Sequence, residues 1–217
     1  MRRLVTLGRA PYRETLALMR EVHARVAAGT DPDTWIVVEH DPVVTLGRNA
    51  KTSSLRLSPQ QLAERNVDFF AVERGGDATF HGPGQVVVYP IVRLARFREV
   101  VPFVSALERS AVAALASFGI AGHPRAEHRG VYVGDAAICA VGLSVKAMTT
   151  LHGLALNVST QLDYDRLIDP CGTPQFGITS ISHELGRPVS WEQGCATILA
   201  ALEAEFSFEF AREAATR

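Results

Sequence analysis

The chain has 217 residues, 47% hydrophobic and 21% charged, with a formal net charge of −1; this balance excludes collagen-like, coiled-coil and intrinsically disordered chains. A chain of this length buries roughly 70% of the surface it would expose when unfolded, so it can build a core without disulfides or a structural metal. Cysteines at 139, 171 and 195, an odd count without CxxC spacing, argue against a disulfide framework and a zinc ribbon and point to a reducing compartment.

Four residues, 4–7, separate Arg2-Arg3 from Gly8-Arg9, too short a run for the apolar core of a signal peptide. The longest uncharged apolar run, 136–145, is about half of what a membrane helix needs. A cytoplasmic protein is expected, without membrane association and with residues 1–217 as a single domain. Residues 12–27 carry Leu16, Met19, Val22, His23 and Val26 at helical spacing. Residues 35–39 and 43–46 read as strands on either side of the turn dipeptide Asp41-Pro42. Ser58-Pro59-Gln60-Gln61 opens a short helix with a capping box, and a strand follows over 68–73. Residues 85–90 form an apolar strand. Residues 102–118 form a helix with Val104, Leu107, Ala111, Leu115 and Phe118 on one stripe. A hairpin is expected over 130–133 and 136–145, then a strand over 149–158. A last helix, capped by Ser190 and Gln193, carries Trp191, Cys195, Ile198, Leu202 and Phe206. Strands paired first by hairpins and then interrupted by helices predict an α+β fold, a mixed sheet with flanking helices.

Three stretches carry candidate chemistry. Arg74-Gly75-Gly76-Asp77-Ala78-Thr79-Phe80-His81-Gly82-Pro83-Gly84-Gln85 packs four glycines and a proline between apolar strands. It reads as a loop whose backbone approaches a ligand, with Arg74, Thr79 and His81 as side-chain donors, or else as a tight structural connection. It is neither a Walker A loop nor a dinucleotide fingerprint. Asp169-Pro170-Cys171-Gly172 puts a thiol in an irregular turn, where a substrate can reach a nucleophile; an unreactive loop cysteine is the alternative. Cys139 reads as core. Residues 150–158 place His152, a hydrogen-bonded structural residue or a catalyst, before Gly153 in a strand, and a glycine there marks close backbone approach.

In order along the chain, Arg74 to Gln85, Ile138 to Gly142, His152 to Asn157 and Pro170 to Gly172 resemble the octanoyl-acyl carrier protein:protein N-octanoyltransferases, or lipoyl(octanoyl) transferases. The resemblance covers most of the chain, and four motifs in order are highly specific. It implies an α/β fold shared with the lipoate and biotin protein ligases and transfer of an octanoyl group from acyl carrier protein to a lysine of lipoyl-domain proteins. Such acceptors include the E2 subunits of 2-oxoacid dehydrogenases and the H protein of glycine cleavage. It also implies Cys171 as the acyl-thioester nucleophile. The pocket would be lined by Arg74, Gly75, Gly76, Asp77, Ala78, Thr79, Phe80 and His81, by Ala140, Val141 and Gly142, and by Gly153, Leu154 and Ala155. No cofactor is implied.

One position departs from the family pattern. The lysine that lowers the thiol pKa and shuttles protons is replaced by Ala137, which leaves Cys171 nearer the free thiol value of about 8.5. The basic residues are 20 arginines and two lysines, Lys51 and Lys146, and Lys146 falls at the wrong strand parity to substitute. The chain is therefore expected to be an engineered variant or a natural member of reduced activity. Competing readings are an ATP-dependent lipoate- or biotin-type ligase, a thiol hydrolase using Cys171 with His81 or His152 but lacking an evident orienting Asn or Asp, and a non-catalytic binder of acyl carrier protein. The seven histidines show no HxH or HExxH spacing, so no metal site is expected. The scattered arginines, balanced by 23 acids, predict no nucleic-acid binding, although a local Arg patch could steer the acidic carrier protein.

Overall fold

The apolar runs near 35 and 87 lack polar–apolar alternation, a pattern that needs cover on both faces of a sheet. The computed structural model, which describes residues 2–51, 54–125, 128–163, 167–168 and 177–212, supplies that cover. The chain runs through β1 (Arg2–Ala10), α1 (Tyr12–Ala28), β2 (Thr34–His40), β3 (Val43–Leu46), α2 (Pro59–Ala63), β4 (Asp68–Ala71), β5 (Ala78–His81) and β6 (Gln85–Ile91). A 3-10 turn (Phe97–Glu99) leads into α3 (Val100–Ser117), followed by β7 (His123–Pro124), β8 (Gly130–Val133), β9 (Ala136–Lys146) and β10 (Thr149–Asn157). The last elements are α4 (Ile181–Leu185), α5 (Trp191–Phe206) and β11 (Phe210–Arg212).

Eight strands form one sheet in the order β11-β1-β2-β6-β10-β9-β8-β7, and β4-β3-β5 form a second, smaller one. The large sheet is parallel across β11-β1-β2 and antiparallel from β2 onward. It is the mixed sheet with flanking helices that the α+β reading expects. Alternation of side chains along β2 divides the core. Trp35 and Val37 join α3 and α5, with Leu107, Leu115, Ile198 and Leu202, on one face. Ile36 and Val38 join α1, with Met19, Val22 and Val26, on the other. Burying each such side chain contributes about 1.5–3 kcal/mol. Trp35 also meets Phe103, Phe206, Phe208 and Phe210 at centroid distances of 5.4 to 6.3 Å.

Both helix starts marked by capping boxes are present, at Ser58/Gln61 and Ser190/Gln193. The hairpin of β8 and β9 and the strand β10 also fall where the pattern places them. Four differences have physical causes. β1 was not expected, because its arginines hide the pattern; it is held by pairing with β2 and β11 on its two edges, and only Leu4 is buried. β11 and the two-residue β7 are too short to show a period. α4, capped by Ser180, is a single turn. The glycine-rich stretch expected to be all loop contains β5, because 78–81 hold no glycine and pair with β3. The helix α3 with its preceding turn is long and apolar enough to cross a membrane, yet half of that stretch is buried, and it packs on α5.

Candidate active site

Gly75 and Gly76 let the chain after Arg74 turn sharply across the end of β9, where the Gly75 N–H donates to the Leu143 carbonyl at 2.8 Å. Gly142 faces this turn: a Cβ there would lie 3.0 Å from the Gly75 carbonyl oxygen. Arg74 is buried, and its guanidinium donates to the Thr45 carbonyl at 2.7 Å, to Thr45 Oγ1 at 2.9 Å and to the Gly75 carbonyl at 3.0 Å. It thus ties the small sheet to the turn. Between this turn, β9, β10 and α1 lies a cavity of about 620 Å³. Arg74, Gly75, Gly76, Asp77, Ala78, Thr79 and His81 all line it, as do Ala140, Val141, Gly142, Gly153, Leu154 and Ala155. Phe80 points the other way and packs with Val44, Leu62 and Ile168 under the small sheet. Alternation along β5 turns Thr79 and His81 to the cavity and Phe80 away from it, while Ala78, the first residue of the strand, borders both.

Gly153 is required by a neighbouring strand: a Cβ would sit 2.0 Å from the Val88 carbonyl oxygen on β6. The close approach expected there for a ligand is already made by β6. Next to it, His152 has φ of 61°, a left-handed conformation rare for a residue inside a strand. The His152 ring is buried, and its Nε2 has no hydrogen-bond partner among the described residues. The Glu73 carboxylate lies 3.7 Å from that nitrogen and 3.1 Å from the Arg20 guanidinium. The His152 ring and Arg20 hold the Glu73 carboxyl well below the usual carboxylate range. Burial pushes the His152 pKa down, against the pull of Glu73.

A second histidine is set by a relay of amides. Asn157 Nδ2 donates to the Thr179 carbonyl at 3.0 Å, which fixes Asn157 Oδ1 as the acceptor for Gln85 Nε2 at 2.9 Å. Gln85 Oε1 is then left to accept from His81 Nδ1 at 2.7 Å. The relay ends on a backbone carbonyl, so the direction of every bond follows, and His81 carries its proton on Nδ1 and a lone pair on Nε2. Burial, with His40 nearby, pushes the His81 pKa down to about 3, so the ring is neutral. Tyr12 stacks on it at 6.3 Å with an interplanar angle of 5°. His40, lowered to about 4 by burial, meets the Tyr89 hydroxyl at 2.9 Å through Nε2.

Ala137 does not line the cavity. It pairs with the chain after residue 176: its N–H donates to the Gly177 carbonyl at 2.8 Å, and its carbonyl accepts from the Thr179 N–H at 3.0 Å. Cys171 and its flanking motif, 169–176, lie outside the described residues. Cys139 is in the core, and burial pushes its thiol up to about 12, which makes it a poor nucleophile. Lys146 stands at the far end of β9, nine residues from Ala137, roughly 30 Å along an extended strand. The other lysine, Lys51, is on the cavity wall. Among the described residues, no group of three or more His, Cys, Asp or Glu side chains could hold a metal.

Tyr12, Tyr89, Lys51 and Glu73 escaped the sequence reading. Tyr12 is the first residue of a helix, with polar neighbours after it, Tyr89 sits in an apolar run that registers only as core, and Lys51 lies in a polar loop without a motif. Glu73 immediately precedes the glycine-rich motif, the only local hint. The orienting groups missing from the sequence reading of the histidines are Gln85 and Asn157 for His81, with Glu73 beside His152.

The fold is that of the lipoate and biotin protein ligases. A bipartite lipoate protein ligase from Thermoplasma acidophilum, solved in work that included its E2 lipoyl domain, superposes with a TM-score of 0.79 at 13% identity, covering 99% of this chain and 87% of that one. A biotin protein ligase from Aquifex aeolicus superposes with a TM-score of 0.54 at 11% identity, covering 95% and 69%. The chain belongs to the lipoyl protein ligase A/B catalytic domain family, whose sequence profile it matches over residues 11–203. The octanoyltransferase of Syntrophobacter fumaroxidans is 43% identical over 86% of this chain and 82% of its own length.

Proposed function

We propose that the chain, as a single domain over residues 1–217, is a cytoplasmic acyltransferase of lipoate biosynthesis. It moves an octanoyl group from octanoyl-acyl carrier protein to a lysine of lipoyl-domain proteins such as the 2-oxoacid dehydrogenase E2 subunits and the glycine cleavage H protein. The observation that carries this reading is the convergence of residues 74–79 and 81, 140–142 and 153–155 on one cavity, in a chain 43% identical to a protein named octanoyltransferase. The walls of Val87, Val141, Leu143 and Leu154 are apolar, as an eight-carbon chain requires, and the small residues of β9 and β10 leave room for it.

The Cys171 thiolate attacks the thioester carbonyl, a new C–S bond forms, and the carrier's thiolate leaves and takes up a proton. The neutral amine of the acceptor lysine then attacks this acyl-enzyme. The C–N bond forms, the Cys171 thiolate departs, and the proton lost by nitrogen returns to sulfur. Backbone N–H groups of the glycine-rich walls are suited to stabilise the oxyanion in both steps. With Ala137 in place of the family lysine, less of Cys171 is thiolate near neutral pH, and transfer is slow.

Incubation with octanoyl-acyl carrier protein should add one octanoyl group to Cys171 by mass spectrometry, and none in Cys171→Ser. Ala137→Lys should raise transfer to a lipoyl domain about tenfold or more; no gain would remove the role given to that position. The likeness to lipoate ligases favours one second reading, an ATP-dependent ligase. ATP dependence together with full activity of Cys171→Ser would establish it instead.

A further inference from the structure

The cavity opens beside the start of α3. Val101 lines it and is 58% exposed, so this side chain stands at the mouth. Val100 and Val104 continue the same apolar wall inward. Just outside, Phe97 is 73% exposed, and Phe97 and Val101 are the two exposed large hydrophobic side chains among the described residues. Isolated apolar side chains on a surface need no explanation, but two within one helical turn at the lip of a cavity form a patch. Arg96 and Arg98 flank Phe97, both exposed. No hydrogen bond or ion pair engages either guanidinium among the described residues. The nearest acid in sequence, Glu99, is held back on the chain, its carboxylate accepting from the Ala95 N–H at 3.0 Å; it offsets one of the two charges and leaves the rim net positive. The lip is therefore apolar at its centre and cationic at its rim, the usual anatomy of a protein docking surface.

We propose that the segment Arg96–Val101 is the docking surface for the acidic carrier protein that delivers the acyl group. This rests on the reading of the chain as an acyltransferase with a carrier-bound donor. The choice of donor over acceptor follows from the lip's chemistry. The donor threads an acyl chain through the mouth, past Val101 to the wall of Val100 and Val104, while Phe97, which does not line the cavity, is left to meet the carrier protein itself. An acceptor lysine brings a four-methylene stem and a cationic amine, a shorter apolar contact than an eight-carbon acyl chain and a charge that the two arginines repel. The two arginines meet the carrier's acidic face, raising the encounter rate and orienting its arm toward the opening.

The test is direct binding, so it does not depend on the activity of a chain with Ala137. The full-length chain is titrated calorimetrically with a carrier protein bearing octanoyl through an amide in place of the thioester, and with the octanoyl amide of pantetheine alone. Arg96→Glu/Arg98→Glu, and separately Phe97→Ser, should weaken the carrier protein about tenfold or more, most strongly at low salt, and change the small amide by less than about twofold. Unaltered carrier affinity with intact small-amide binding would overturn the docking surface alone. So would weakening confined to a lipoyl domain, or wild-type chain that binds anionic phosphatidylserine vesicles through this lip and not the carrier. Absence of small-amide binding to wild type would instead overturn the acyl-transfer reading beneath it.

Discussion

His81 and His40 are neutral because burial denies their cations water, and that has a cost at acid pH. The unfolded state takes up a proton at each ring near pH 6.5, whereas the folded state waits until about 3 for His81 and about 4 for His40. Between those values the unfolded chain binds more protons, so stability is full above 6.5 and is lost as pH falls below it. At pH 5 the expected loss is about 2 kcal/mol for each histidine, read from urea midpoints at pH 7 and pH 5. The relay that fixes the His81 proton can be observed directly. Nitrogen NMR at pH 6 should find the proton on Nδ1. Asn157→Asp removes the donor to the Thr179 carbonyl, and it should destabilise the fold by about 1–3 kcal/mol and disturb the His81 signals. A proton on Nε2 alone would contradict the assigned relay, and a doubly protonated ring at pH 6 would contradict the lowered pKa.

At the scale of elements, β10 is the least forgiving part of the fold. All nine of its residues are buried, and Gly153 lies against the carbonyl of Val88. Gly153→Ala should cost about 3 kcal/mol or more, because the clash is with backbone that cannot rotate away. Gly186→Ala, with φ of 63° but open space around it, should cost only about 1–2 kcal/mol. Denaturant titrations of the two variants would separate steric overlap from backbone strain. Elements of this kind were legible in the sequence wherever a period or a cap marked them: the stripe of α1, the capping boxes of α2 and α5, the unbroken apolar runs of β2 and β6. β1 was not, since pairing on both edges, and not side-chain burial, holds it in place. The site was legible to the same degree. Motif residues on β9, β10 and the glycine-rich turn came together, while Tyr12 and Lys51 joined them through long-range folding that no local pattern records.

For the whole molecule, the sheet separates two cores, and the thiols report on one of them. Cys139 and Cys195 both lie in the cluster shared with α3 and α5. Neither should react with a thiol reagent in the native chain, and both should react in guanidinium. Labelling of either without denaturant would mean that the α3–α5 layer opens. The same architecture dictates where the pocket can vary. Its floor is made of β6 and β10, strands hemmed in by paired neighbours on each edge and by side chains above and below, so few substitutions there are survivable. The wall of Val100, Val101 and Val104 belongs to the partly exposed end of a helix. A change of side-chain size there displaces solvent and not a neighbouring strand. Relatives that handle longer or shorter chains should therefore differ from this protein at the start of α3, while their pocket floors stay alike.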